Sequence, residues 1–215
     1  LLKVLFLCLM DIMNLITNFK VSEMQDKRYK IFSFIILLIF NTVCAVSAVY
    51  FNLETTNLKI IGSFFAVISS GLLLLRFPLR FYCFMNVFVF FSSSLGSCVN
   101  LYYYITDYDT IIHFLSGIIL AEGGKLFAEK IINKRELKND LLMLSLFALL
   151  FSCTCAAVWE IYEYAVDVTL GANMQGTKEN TMNDIIAGVS GALVYLIVNF
   201  ITDTNKKNKA NVRVK

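Results

Sequence analysis

Two pairs of polar residues in the second half of the chain have types and spacings suited to chemistry. Asp109 and the chain's single histidine, His113, are four residues apart, so on a helix they share one face and the carboxylate can orient the imidazole. Asn180 and Asp184 repeat the same spacing further along the chain. An imidazole held by one carboxylate and placed near another has the properties of a general acid or base.

A stripe of three acids lies between these pairs. Glu160, Glu163 and Asp167 follow one another at i, i+3 and i+7, which places them on one face of a helix. Glu160 then lies roughly 10 Å deeper along the helix than Asp167. An ionised carboxylate near the bilayer centre costs about 2.5–3.5 kcal/mol even on a lenient scale. We therefore expect Glu160 and Glu163 to have a partner or a function, whereas Asp167 is equally well explained as a solvated interfacial residue.

The residues of the candidate site divide by the role that we expect of them. The catalytic candidates are His113, Glu160, Glu163 and Asp184, and the substrate-binding candidates are Asp109, Asp167, Gln175 and Asn180. The spacing does not demand a metal and we predict none, although so oxygen-rich a set suits Mg²⁺, Mn²⁺ or Ca²⁺ better than Zn²⁺. The sequence identifies no cofactor.

Composition places these residues in a membrane protein. Hydrophobic residues make up 58% of the 215 residues, charged residues only 16%, and the mean hydropathy is +0.68. A water-soluble domain needs a more polar surface than this composition provides. We predict an all-α polytopic membrane protein with about six transmembrane helices, each long enough to cross a hydrocarbon core of roughly 30 Å. The predicted spans are residues 31–51, 58–75, 82–104, 110–127, 141–165 and 183–201.

The six spans are interpreted as one membrane domain, residues 31–201. It follows an N-terminal cytoplasmic or interfacial segment, residues 1–30, and precedes a basic cytoplasmic tail, residues 202–215. Met24 offers a second plausible start, so two interpretations of residues 1–23 stay open. They form an interfacial helix, or they lie outside the native product.

Orientation follows from the positions of lysine and arginine. With six spans, the N-terminal segment, the second and fourth connections and the tail share one side, and they carry most of the basic residues. The positive-inside rule makes that side cytoplasmic. We therefore predict a bacterial cytoplasmic (inner or plasma) membrane protein with both termini inside. The candidate residues then meet near the outer face, beside a fifth connection of 17 residues, 166–182, which is long enough to cover a pocket.

Small and aromatic residues supply the surroundings of this site. Gly117, Gly188 and Gly191 are predicted to let the fourth and sixth spans pack closely. Tyr102 and Trp159 belong to an aromatic cluster at the outer level. We interpret that cluster as an interfacial belt, whose members can also line a head-group pocket.

A resemblance to a known family rests on three segments, YDTIIHFLSG (108–117), WEIYEYAVDVTLGANMQG (159–176) and NTMNDIIAGVSGA (180–192). Through them the chain resembles, from about Leu95 to Tyr195, the YjdF family of small bacterial inner-membrane proteins, which has no established biochemical function. A more distant similarity is to VanZ-like proteins, which are linked to glycopeptide antibiotic resistance. Two positions depart from the YjdF pattern, because Thr110 stands where the family usually has Lys, and Asn180 where it tends to have Asp.

Three classes of function remain open from the sequence. The first is an outward-facing acidic and histidine site that binds or processes the head group of a lipid or envelope precursor. The second is a proton- or cation-coupled transporter of small molecules, for which Glu122 and Lys125 are the candidates in the inner half. The third is a non-catalytic membrane scaffold. Membrane lipids are the expected partners, nucleic acid is not expected, and protein partners are not identified.

Overall fold

The computed structural model describes residues 23–135, 140–172 and 174–213, and within these ranges the chain folds into helices joined by short connections. The predicted N-terminal segment therefore lies largely outside the described residues. The helices are α1 (Glu23–Tyr50), α2 (Asn57–Leu73) with a 3₁₀ turn (Leu74–Arg76), α3 (Leu79–Val89) with a π-helical continuation (Phe90–Cys98), α4 (Leu101–Tyr104), α5 (Tyr108–Lys134), α6 (Leu141–Leu170) and α7 (Lys178–Arg213).

Six of these helical segments are long and apolar enough to cross a membrane, which confirms the predicted all-α polytopic fold. They are Met24–Tyr50, Asn57–Arg76, Leu79–Cys98, Tyr108–Lys134, Leu141–Leu170 and Lys178–Thr202. Most extend a few residues beyond the predicted apolar runs, because a helix continues into polar residues that the apolar pattern does not include.

The third span ends earlier than predicted. Its helix stops at Cys98 rather than continuing to residue 104. Asn100 interrupts it with a left-handed backbone (φ 65°), a conformation that asparagine tolerates better than most residues. The Asn100 amide donates to the Glu54 carbonyl and its oxygen accepts a hydrogen bond from Lys59 Nζ at 2.8 Å. These contacts come from residues distant in sequence, so local periodicity could not predict the break.

The described part of the chain divides after residue 100 into two compact units. In the first, polar side chains join the helices: Ser94 Oγ donates to Asn41 Oδ1 at 2.7 Å, and Asn86 Nδ2 donates to Ser33 Oγ at 2.9 Å. Such interhelical hydrogen bonds replace the hydrophobic effect, which does not drive helix association inside a bilayer.

The second unit is built on α5, α6 and α7, whose interior consists of small residues. Ala121, Ala148 and Ala192 are fully buried, one from each helix. Large apolar side chains face outward instead, for example Ile161, which is 66% exposed. This distribution is expected where lipid covers the surface and helices approach through small residues.

Glycines bring α5 and α7 into backbone contact, as the sequence predicts. A Cβ added to Gly117 would clash with the Gly188 carbonyl oxygen, and one added to Gly191 would clash with the Phe114 carbonyl oxygen. Ser152 of α6 also donates to the Gly117 carbonyl at 3.0 Å. The contact of Gly117 with Gly188 lies one turn from His113, so it determines the distance between the polar residues of α5 and those of α7.

Candidate functional site

The beginning of α5, the last third of α6 and the beginning of α7 place four titratable residues together. We call Asp109, His113, Glu160 and Asp184 the acid–histidine cluster. His113 Nε2 lies 3.5 Å from Asp109 Oδ1 and 3.8 Å from Glu160 Oε1. His113, Glu160 and Asp184 are buried, and Asp109, whose side chain is 31% exposed, is the most accessible of the four.

Asp184 is held by two neutral donors. Asn180 Nδ2 donates to one carboxylate oxygen at 2.6 Å, and the Thr110 hydroxyl donates to the other at 3.3 Å. Asn180 Nδ2 also lies 3.4 Å from Asp109 Oδ2, so it bridges the two aspartates. Both positions that depart from the YjdF pattern therefore contact the same carboxylate. The role of Thr110 could not be predicted, because its partner is 74 residues away in sequence.

Glu160 and Glu163 differ in their partners although both are buried. Glu163 accepts a hydrogen bond from Trp159 Nε1 at 2.8 Å. Neither carboxylate oxygen of Glu160 accepts a hydrogen bond from any of the described residues. The Thr181 hydroxyl is near Glu160 but also lacks a hydrogen bond among these residues. Glu160, at 4% exposure, is thus a buried acid without the hydrogen bonds that such a group normally has.

Negative charge dominates this end of the second unit. No lysine or arginine within the described part of the chain forms an ion pair with Asp109, Glu160, Glu163 or Asp184. Tyr102, on the short helix α4 outside the spans, is affected by this negative charge. Burial, followed by the charge of Asp109, raises the pKa of its phenol well above the usual value. Tyr102 therefore stays protonated and is a hydrogen-bond donor beside the acids.

Asp167 lies in the last turn of α6, and Gln175 lies in the connection that follows it. The two oxygens of Asp167 accept hydrogen bonds from the backbone N–H groups of Met174, at 2.6 Å, and Gln175, at 2.9 Å. Gly171 ends α6 with a left-handed backbone (φ 64°). The connection spans residues 171–177 and is shorter than the predicted 17 residues, because α6 continues to Leu170 and α7 begins at Lys178.

Three members of the cluster are close enough together to bind one metal ion. Asp109, His113 and Asp184 each offer one ligand atom, and these atoms all lie within 4.8 Å of one another. A groove between α6 and α7, near Leu141 and Phe200, contains none of these residues. Its lining is apolar, as expected for a lipid-covered surface.

Comparison with known proteins identifies one family. The family model described as "Predicted membrane protein (DUF2238)" matches residues 29–205 of this chain. This match confirms the resemblance to the YjdF family, which is the same family. No curated protein and no solved structure matches the chain.

Proposed function

This chain belongs to the DUF2238 family of predicted membrane proteins, and we propose that its acid–histidine cluster binds and processes the polar head group of a membrane lipid or an envelope precursor. The convergence of three helix segments on one histidine and three carboxylates carries this proposal. Acidic groups buried among membrane-spanning helices are expensive, and they are normally retained where they have a task.

The position of the cluster favours a head group over a water-soluble substrate. The cluster lies within a turn or two of the ends of α5 and α7, near the level where head groups meet the hydrocarbon. Trp159 and Tyr162 flank it on α6 and are about half exposed. Aromatic side chains of this kind prefer the interface, where one edge contacts acyl chains and the other contacts polar groups.

The cluster supplies acid–base chemistry through His113. Asp109 lies beside Nε2 and can stabilise the ring when it takes a proton from water or from a hydroxyl group. Tyr102 and Asn180 are neutral donors at the same end of the unit and are suited to holding head-group oxygens. His113 is thus the proposed acid–base residue, with Glu160, Glu163 and Asp184 as the acids around it.

A loss of function in cells is the first expected result. In a strain that carries the gene, Glu160→Gln and His113→Ala should each reproduce the change in envelope lipid profile or antibiotic susceptibility that deletion causes. Glu179→Gln removes an exposed acid from the first turn of α7 and should leave the phenotype unchanged. If both cluster variants complement the deletion fully, a site built on them is wrong.

We propose a bacterial inner-membrane location with both termini cytoplasmic and the cluster near the outer face. This orientation rests on the positive-inside rule applied to six spans. In a cysteine-free background, a single cysteine at Lys178 should react with an impermeant maleimide in intact cells. A cysteine at Lys134 should react only after permeabilisation. The opposite labelling pattern would invert the protein, and equal access would contradict the pairing of α5 with α7.

Transport is the alternative that the inner half of this unit favours. Tyr195 donates to Glu122, and Lys125 Nζ donates to Asn199 Oδ1 at 2.8 Å. Between these contacts and the cluster, however, the helices pack closely through small residues: Gly117 of α5 lies against Gly188 of α7, which also contacts the buried Ala156 of α6. That apolar layer separates the two polar levels, so we rank transport below head-group chemistry.

A further inference from the structure

We propose that the acid–histidine cluster is a binding site for a divalent cation, with Asp109, His113 and Asp184 as ligands and Glu160 completing the set. The cation site stands on the geometry of the cluster. Its use, to hold a phosphate oxygen of the head group, rests on the proposed function. Because an imidazole nitrogen that binds the cation cannot also accept a proton, a water molecule on the cation would take over the acid–base role of His113. Spacing along the chain did not predict this site, because Asp184 comes from a helix 71 residues beyond His113 in sequence.

The distances between the ligand atoms fit a hard divalent ion. The atoms offered by Asp109, His113 and Asp184 lie within 4.8 Å of one another. Oxygen ligands bind Ca²⁺ at about 2.3–2.6 Å, so two ligands on opposite sides of the ion are roughly 4.6–5.2 Å apart. Mg²⁺ binds at about 2.0–2.1 Å and requires these side chains to close in by a few tenths of an ångström.

The buried carboxylate of Glu160 provides a second, independent observation that points to a bound ligand. Its side chain is 4% exposed, its oxygens accept no hydrogen bond from the described residues, and Oε1 is directed at the cluster, 3.8 Å from His113 Nε2. A buried carboxylate in this state is strongly unfavourable. A cation among the ligands gives the two oxygens of Glu160 the counter-charge that the protein does not provide.

The charge of the site also determines what it can bind. Three carboxylates and one imidazole, without an ion-paired lysine or arginine among the described residues, repel an anionic phosphate group. A divalent cation reverses this, because it compensates two of the three negative charges and offers open positions to phosphate oxygens. Mg²⁺ bound by carboxylates and substrate phosphates is a common arrangement.

Two neutral donors orient the ligands in the manner of established metal sites. Asn180 bridges Asp109 and Asp184, and Thr110 fixes the second oxygen of Asp184. Such supporting hydrogen bonds preserve the ligand geometry, and their removal weakens metal binding by roughly 10–100-fold. With two or three carboxylates to one imidazole, the site favours Mg²⁺, Mn²⁺ or Ca²⁺ over Zn²⁺.

The experiment uses Mn²⁺ as the probe, because its electron paramagnetic resonance signal reports binding directly. The full chain, purified in detergent and treated with a chelator, is titrated with Mn²⁺. We expect one site per chain, competed by Mg²⁺ or Ca²⁺. Asp184→Asn should weaken binding at least tenfold, and Asn180→Ala should weaken it by roughly 10–100-fold. Asp109→Asn, at the most accessible ligand, provides a second ligand variant if Asp184→Asn fails to fold. Glu179→Gln, five residues before Asp184, should bind as the wild type does.

The possible outcomes distinguish cation binding from head-group binding. Absence of a saturable Mn²⁺ site in the wild type, or equal binding by wild type and the two ligand variants, overturns the cation site. Addition of glycerol phosphate to the Mn²⁺-loaded protein should produce a phosphorus hyperfine coupling on the ion. If Mn²⁺ binds at the ligands but this coupling is absent, the cation site stands and phosphate head-group binding fails. Retention of phosphatidylethanolamine by a protein that binds no Mn²⁺ indicates direct binding of an amine instead.

Discussion

Replacing Glu160 with glutamine will stabilise the purified, metal-free protein while it removes head-group binding. The wild-type carboxylate is buried, lacks hydrogen bonds from the described residues and lies close to His113. An amide of the same shape removes the buried charge and can still hydrogen-bond to the imidazole, through its oxygen if Nε2 is protonated and through its nitrogen if it is not. Leaving a buried polar group unsatisfied costs about 1–3 kcal/mol, and more for a charge, so the free energy of unfolding should rise by about that amount.

Thermal unfolding in detergent with a chelator present measures this effect. Glu179→Gln is the exposed control and should change stability by less than about 0.5 kcal/mol. Glu163→Gln should produce a smaller gain than Glu160→Gln, because Glu163 already accepts a hydrogen bond from Trp159. Higher stability together with lost head-group binding is the result expected for a residue that is retained for function at the expense of stability. A loss of stability in Glu160→Gln would instead mark Glu160 as a structural residue.

Replacing Gly191 with alanine will separate α5 from α7 and will weaken the fold and the site together. The added Cβ would clash severely with the Phe114 carbonyl oxygen, and backbone atoms cannot rotate out of the way as a side chain can. Overpacking of this kind costs about 1–3 kcal/mol. Gly117→Ala should have the same effect, since its Cβ would meet the Gly188 carbonyl.

Gly62→Ala is the matched control for this substitution. Gly62 lies on the exposed face of α2, and a Cβ added there meets no atom within 4 Å. Alanine is the better helix former by about 1 kcal/mol, so this variant should be neutral or slightly stabilised. Unfolding of the variants in detergent compares the three substitutions. Equal stability of Gly191→Ala and Gly62→Ala would contradict the backbone contact between α5 and α7.

Sequence patterns were sufficient for features that depend on helical periodicity. The spacing of Asp109 and His113 placed both on one face of α5. The alternation of span directions placed the start of α5 and the end of α6 at one level. Glycines at 117, 188 and 191 indicated close helix contacts. All of these follow from 3.6 residues per turn and from the length of a membrane span.

Other features depend on partners far away in the sequence, and periodicity contains no information about them. Two such features depend on how three helices are rotated relative to one another. They are the pairing of Thr110 with Asp184, and the lack of a hydrogen bond to Glu160 among the described residues. Asp167 fits its predicted stripe, yet its oxygens bind the backbone of the following connection. The end of the third span at Cys98 depended on Lys59 and Glu54, which hold Asn100.

The central claim is that the cluster binds a lipid or precursor head group. Native mass spectrometry of the purified protein tests it most directly, because it measures the mass of the protein together with its bound molecules. The wild type should carry a lipid or envelope precursor of one head-group class, and Glu179→Gln should carry the same molecule. Glu160→Gln and His113→Ala should lose it while keeping the ordinary surrounding lipids. If wild type and cluster variants carry the same mixture of bulk lipids in the same amounts, the cluster does not bind a head group.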